Sequence, residues 1–177
     1  MNLALKTAHV LLPLAILAGP GAADPADPAP QSQMNFTAVA AGTWAADWAG
    51  VAGKTYFFEW SNDMQNWYHA PFIEFGEGDH SYGCDCTAPK FFTRLRHTDI
   101  YSSLEEARNS DYDSDGLSNL FEVTYGYNPF HVTSTIDGPD ALLDPDGDGL
   151  GNNTEQALAL DPKHKDNPIV MLQVTAE

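Results

Sequence analysis

Asp111-Tyr112-Asp113-Ser114-Asp115-Gly116-Leu117-Ser118-Asn119-Leu120-Phe121-Glu122 and Asp144-Pro145-Asp146-Gly147-Asp148-Gly149-Leu150-Gly151-Asn152-Asn153-Thr154-Glu155 are two copies of one pattern. Both fit D-x-[DN]-x-[DN]-G-x5-E without a mismatch. A hard divalent cation explains every fixed position. Ca2+ gathers about six to eight oxygens, so carboxylates at loop positions 1, 3 and 5 converge on it. Glycine at position 6 permits a sharp turn, and position 7 offers its backbone carbonyl. Position 9 often acts through a water, and Glu at position 12 closes the sphere with both oxygens. The expected ligands of one Ca2+ site are Asp111, Asp113, Asp115, Leu117, Asn119 and Glu122. Those of a second are Asp144, Asp146, Asp148, Leu150, Asn152 and Glu155. One chance match in a chain of this length has odds of roughly one in a thousand, and two in phase are rarer still. A bare solvated acidic turn needs neither the Gly nor the Glu at those offsets.

The loops belong to a larger repeat. Asp111 and Asp144 lie 33 residues apart, and Glu122–Pro129 aligns with Glu155–Pro162. That period would also suit ankyrin repeats, but no ankyrin signature is present and acidic loops have no place in one. Each unit predicts a short helix from position 9 or 10 past the Glu, stopping before Asn128-Pro129 or Asp161-Pro162. Leu104–Arg108 and Asp140–Leu143 can supply brief lead-in turns. The pattern, with its aliphatic or aromatic stretch and closing Asn/Asp-Pro, resembles the bacterial thrombospondin type 3-like repeat. EF-hand and dockerin loops are near relatives. The resemblance covers roughly Asp111–Pro162. It implies calcium-stabilised, extracellular, non-enzymatic modules, and ligand roles for the positions named. Paired EF-hands carry an aliphatic residue at position 8 to bridge their loops. Here that position is Ser118 and Gly151, while Leu117 and Leu150 sit one place earlier, as in the type 3 repeat. The expectation is two weakly coupled sites, not a lobe that opens on calcium.

The rest of the chain agrees with an acidic, exported protein. Its 177 residues hold 8 Lys+Arg against 25 Asp+Glu, a formal charge of −17. Such a deficit excludes phosphate recognition by basic side chains and a polybasic membrane surface. The 9 Phe, 7 Tyr and 4 Trp argue against disorder and for a packed core. The acid is concentrated late: Tyr101–Glu177 has 15 acidic and 3 basic residues, Asp24–Ile100 has 10 and 4. At the start, Lys6, the apolar run Val10–Ala18 and the small residues Gly21-Ala22-Ala23 predict a signal peptide over 1–23. An uncleaved anchor is the competing reading, although the run is too short to span a bilayer comfortably. Residues 24–33, DPADPAPQSQ, read as a Pro-rich linker.

Residues 34–100 are aromatic and β-branched, with turn residues between short runs. Strands are predicted at Phe36–Ala41, Thr55–Trp60, Trp67–Ile73 and Phe91–His97, separated by segments such as Ser61-Asn62-Asp63 and Gly76-Glu77-Gly78-Asp79. The pattern favours a small antiparallel β-sandwich, at the low end for an independent core and so expected to pack against the C-terminal part. Tyr56-Phe57-Phe58-Glu59-Trp60-Ser61-Asn62-Asp63-Met64-Gln65-Asn66-Trp67, with the later Phe92-Thr93-Arg94, is similar to a β-sandwich module of secreted proteins from environmental bacteria. That likeness implies fold and secretion, without a ligand.

Three smaller constellations remain. Cys84-Asp85-Cys86 could be a strained local disulfide, a pair of free or intermolecular thiols, or, with His80 and His97, a metal set of unfamiliar spacing. Trp44, Trp48, Trp60, Trp67 and Tyr68 could stack on sugars, or form sandwich core. Glu59 and Asp63 could be imagined as a glycosidase acid/base pair, but at i and i+4 across a strand-turn boundary they read better as polar-face residues, with no partner site.

The fold class expected is mixed: a small antiparallel β-sandwich (34–100), then a mostly irregular, short-helix module (101–177) with two EF-hand-like calcium loops. The function expected is a secreted, non-catalytic calcium-binding protein, with no nucleic-acid partner and no membrane span in the mature chain. The alternative is a calcium-rigidified recognition module for extracellular polysaccharide or a cell-surface protein. The location expected is extracellular, at the cell surface or in the periplasm.

Overall fold

The computed structural model describes residues 33–40, 42–85 and 91–166. The expected signal peptide, residues 24–32 of the expected linker, Cys86 and residues 167–177 lie outside them. Among the described residues six strands form two three-stranded antiparallel sheets: β1 Asn35–Ala40, β2 Thr43–Gly50, β3 Thr55–Ser61, β4 Tyr68–Phe75, β5 Gly78–Asp85 and β6 Phe92–Thr98. Their orders are β1-β2-β5 and β4-β3-β6. Three short helices follow, α1 Leu104–Asn109, α2 Asn119–Tyr125 and α3 Asn152–Leu158, with one 3-10 turn at Asp140–Leu142. Among the described residues no helix is long and apolar enough to cross a membrane.

Four strands fall where the sequence pattern puts them, within two residues at most ends. β2 and β5 do not show in that pattern. β2 reads TWAADWAG and β5 reads GDHSYGCD, alanine- and glycine-rich or polar segments without β-branched alternation. They form because Trp48, Ala46 and Tyr82 have an apolar face to meet. Those side chains pack with Tyr56 and Phe58 of β3, Ala70 of β4 and Leu95 of β6 in the sandwich interior. A row of half-buried rings closes the seam between the sheets: Trp44 stacks on Phe36, Phe36 on Phe91, Phe91 on Trp60, and Trp60 on Tyr68. The register of β4 against β3 shifts between Phe57 and Glu59. Pro71 lies in that irregular stretch of an edge strand, where a missing N–H costs least.

The other face of the second sheet is also covered. Phe57 and Ile73 pack with Tyr101, Ala107, Val123 and Phe130 from the C-terminal part. Phe130 meets Phe57 edge-on at 4.9 Å, and Tyr112 meets Phe130 likewise. Strand β3 is thus buried on both sides, Tyr56 and Phe58 in one core and Phe57 in the other. Burying side chains of this size is worth about 1.5–3 kcal/mol each. This packing supplies the support that a small sandwich lacks.

Glu59, expected on a polar face, is 1% exposed for the same reason. It accepts hydrogen bonds from Nε of Arg94 and, at 2.7 Å, from Nε of Arg96, and His69 Nε2 lies 3.3 Å from its other oxygen. His69 also meets Asn128, the residue that ends the first repeat, at 3.1 Å. Arg94 lies over Trp67 at 4.1 Å. Asp63 instead organises the exposed β3–β4 turn. The backbone amides of Asn66 and Gln65, then the Asn66 side chain, hold its carboxyl well below the usual range.

Candidate metal centre

Each acidic loop is built by its own first aspartate. Asp111 Oδ1 accepts the N–H of Ser114 at 2.6 Å and of Asp115 at 3.2 Å, and its Oδ2 accepts that of Gly116 at 2.8 Å. Asp144 repeats the arrangement with Gly147, Asp148 and Gly149 at 2.8, 3.2 and 3.0 Å. The third and fifth positions follow suit. Asp113 takes the N–H of Asp115 and Asp146 that of Asp148, while Asp115 takes the N–H of Leu117 and Asp148 that of Leu150. The glycines at position 6 need a positive φ, 104° at Gly116 and 96° at Gly149. Position 4 is left-handed too, in Ser114 (67°) and Gly147 (73°), a requirement the motif does not reveal.

The result is two clusters of like charge. Carboxylate oxygens of Asp111, Asp113 and Asp115 lie within 4.8 Å of one another, and so do those of Asp115, Glu122 and Asp140. The second loop groups Asp144, Asp146 and Asp148, then Asp148, Glu155 and Asp166. Ligand oxygens on opposite sides of one Ca2+ stand about 4.6–5.2 Å apart, from Ca–O distances of about 2.3–2.6 Å, so the spacing suits a shared ion. The ion pairs on Glu59 and between His80 and Glu74 lie in the sandwich, away from these loops.

The closing glutamates are the telling residues. Glu122 and Glu155 are both 0% exposed. Neither oxygen of either side chain has a hydrogen-bond partner. Burial, then the charges of Asp113, Asp115, Asp140 and Asp111, pushes Glu122 from 4.5 up to about 10. Burial, then Asp146, Asp148, Asp144 and Asp166, raises Glu155 to about 7. Asp113 also rises to about 7, through burial first and Asp115 next. Asp144 goes the other way: burial raises it, but the amides of Gly149, Gly147 and Asp148 more than offset that. Four buried carboxylate oxygens without a donor are costly unless a cation meets them.

The remaining expected ligands have distinct places. Leu117 and Leu150 would act through backbone carbonyls, and the Leu117 side chain is fully buried beside Phe121, Tyr127 and Ala141. The Asn119 amide is taken up inside the scaffold. Its oxygen accepts the N–H of Tyr112 at 3.0 Å, and its nitrogen donates to Tyr101 Oη at 3.0 Å and to the Ala107 carbonyl at 2.7 Å. It latches α1 to α2. Asn152 repeats the latch by donating to the Asp140 carbonyl at 2.6 Å. Its oxygen is buried without a hydrogen-bond donor, and the repeat explains why. The residue matching Tyr112 is Pro145, which has no N–H to give.

Sequence reasoning did not reach Asp140 or Asp166. Neither falls in the motif, and they are not repeat equivalents of each other, so only the folded chain brings them to the loops. It also missed Gln156. This residue accepts the N–H and hydroxyl of Ser118 at 2.7 and 2.9 Å and donates to the Gly116 carbonyl at 3.1 Å. A polar bridge therefore joins the repeats at position 8, where the sequence suggested no link.

Of the other constellations, the histidines and aromatic rings have neighbours in the sandwich, and the cysteine side chains lie outside the described residues. His80 stacks on Trp48 and its Nε2 lies 3.2 Å from the Gly76 carbonyl, while His97 Nε2 is 2.8 Å from Lys54 Nζ. Trp48 is core, and Trp44, Trp60, Trp67 and Tyr68 are half-buried against neighbours. Compared with known protein families, characterised proteins and solved structures, the chain matches none of them.

Proposed function

We propose that the chain is a secreted, non-catalytic calcium-binding protein, in which residues 101–177 form a two-site module docked on a sandwich of residues 34–100. The observation that carries this reading is the pair of fully buried glutamates whose oxygens have no hydrogen-bond partner, each set at the twelfth position of an aspartate-built loop. Asp111, Asp113, Asp115, the Leu117 carbonyl and Glu122 would hold one ion. Asp144, Asp146, Asp148, the Leu150 carbonyl and Glu155 would hold the other. An all-oxygen donor set rich in carboxylates suits a hard cation. The many protein donors favour Ca2+ over Mg2+, which keeps its waters and demands a tight octahedron. Bound calcium neutralises the repulsion within each cluster and supplies folding free energy that the bare loops lack.

The role of the ion is structural. α2, which carries Glu122, lies against β4, and Val123 enters the apolar cluster shared with Phe57 and Ile73. Fixing the first loop therefore fixes the cover of the second sheet. Metal analysis of the purified protein, followed by calorimetric titration of Ca2+ after chelation, tests the proposal. Two bound equivalents with a preference over Mg2+ are expected. No heat and no bound metal would overturn it.

A further inference from the structure

Asp140 aligns with Ala107 in the 33-residue repeat, so nothing in the motif asks for an acid there. It is nonetheless fully buried, and its carboxylate gathers with those of Asp115 and Glu122 at the first loop. Ser134 fixes its orientation, donating its N–H to both oxygens at 2.8 and 3.0 Å and its hydroxyl to one of them. A carboxylate so held keeps lone pairs for a cation. The same residue begins the 3-10 turn that leads into the second loop, and its carbonyl receives the Asn152 side chain.

We propose that Asp140 is a calcium ligand of the first site supplied by the second repeat, so that the two sites load as a coupled pair. This deepens, and rests on, the calcium reading above. A second link runs beside it: Gln156, next to the closing Glu155, grips Gly116 and Ser118 of the first loop. An ion in the second loop orders both Asp140 and Gln156 for the first. By linkage, an ion in the first loop must strengthen the second by the same factor. The weak coupling expected from Ser118 and Gly151 alone gives way to this arrangement.

The test is a Ca2+ titration of the full chain followed at the Gly116 and Gly149 amides, each of which donates to the first aspartate of its own loop. Asp140→Asn should raise the Kd read at Gly116 by about tenfold or more, because a charged donor is lost. It should also raise the melting temperature of the calcium-free protein, because repulsion with Asp115 and Glu122 is relieved, an effect that a purely structural acid would not give. Glu155→Gln leaves Asp140 intact, and should still raise the Kd at Gly116 by roughly threefold or more through coupling. If Gly116 titrates as in the wild type in both variants, the Asp140 proposal falls and the calcium reading stands. An Asp140→Asn protein that is less stable both with and without calcium reduces the residue to scaffold and also overturns the proposal. Silence of both glycines in the wild type overturns the calcium reading itself, and this inference with it.

Discussion

Replacing Glu122 by Gln should stabilise the calcium-free protein and destabilise the calcium-loaded one. In the absence of the ion, the folded chain holds this carboxyl up to about 10 against an ordinary 4.5. An acid raised on folding binds more protons in the native than in the unfolded state. Stability is therefore full below about pH 4.5 and falls as pH rises toward the folded value, by about 1.4 kcal/mol per pH unit. At pH 7 the penalty is about 3 kcal/mol on this order-of-magnitude reckoning. Glutamine escapes it, though its buried amide gives back about 1–2 kcal/mol where its donors fit poorly. With calcium the balance reverses. The wild type gains about 2.7 kcal/mol at a hundredfold excess over Kd, and the variant forfeits that gain at the first loop. Melting both proteins by near-ultraviolet circular dichroism, in chelator and in calcium at several pH values, would show the crossing. The variant should melt higher in chelator by a few degrees, with a flatter pH dependence. If it melts lower by the same amount in both conditions, Glu122 is an ordinary structural acid and the argument from its unpartnered oxygens fails.

Chelation should loosen the second half of the chain selectively: hydrogen exchange with EDTA should speed across 111–162 more than in β2 and β5, and equal protection with and without calcium would contradict this. Ala159 caps α3 with a φ of 56°, where its repeat mate Gly126 caps α2 at 87°. Ala159→Gly should therefore stabilise by about 0.5–1 kcal/mol in urea unfolding. Glu59→Ala leaves two guanidiniums facing a buried gap and should cost about 3–5 kcal/mol, measurable in the same assay. A cost below about 1 kcal/mol would mean that Arg94 and Arg96 reach water by local rearrangement.

The loops were legible because their pattern is local: Asp111, Asp113 and Asp115 stand at alternate positions of one turn, and their carboxylates gather within 4.8 Å of one another. Strands such as β3 and β6 were legible through their aromatic and β-branched runs. β2 and β5 were not, since Ala45, Ala46 and Gly83 take their strand conformation from the sheet around them. Asp140, Asp166 and Gln156 escaped for a related reason. Their importance lies in which loop they meet after folding, and no local pattern encodes that. The burial of Glu59 was hidden likewise, because its cover comes from a segment about seventy residues onward, including Asn128 and Phe130.

Strand β3, enclosed on both faces, acts as a register lock. Tyr56 and Phe58 point into one interior, and Phe57 and Glu59 into the other. Most amphipathic strands guard their alignment with one face only, since a slip merely exposes apolar side chains to solvent. Here a one-residue slip would turn the Glu59 carboxylate toward the interior that holds Trp48 and Leu95 and take it away from Arg94 and Arg96. Neither the sandwich nor its cover tolerates the exchange. A strand rich in aromatics, which in isolation would pair promiscuously, is thereby held to a single alignment by one buried charge.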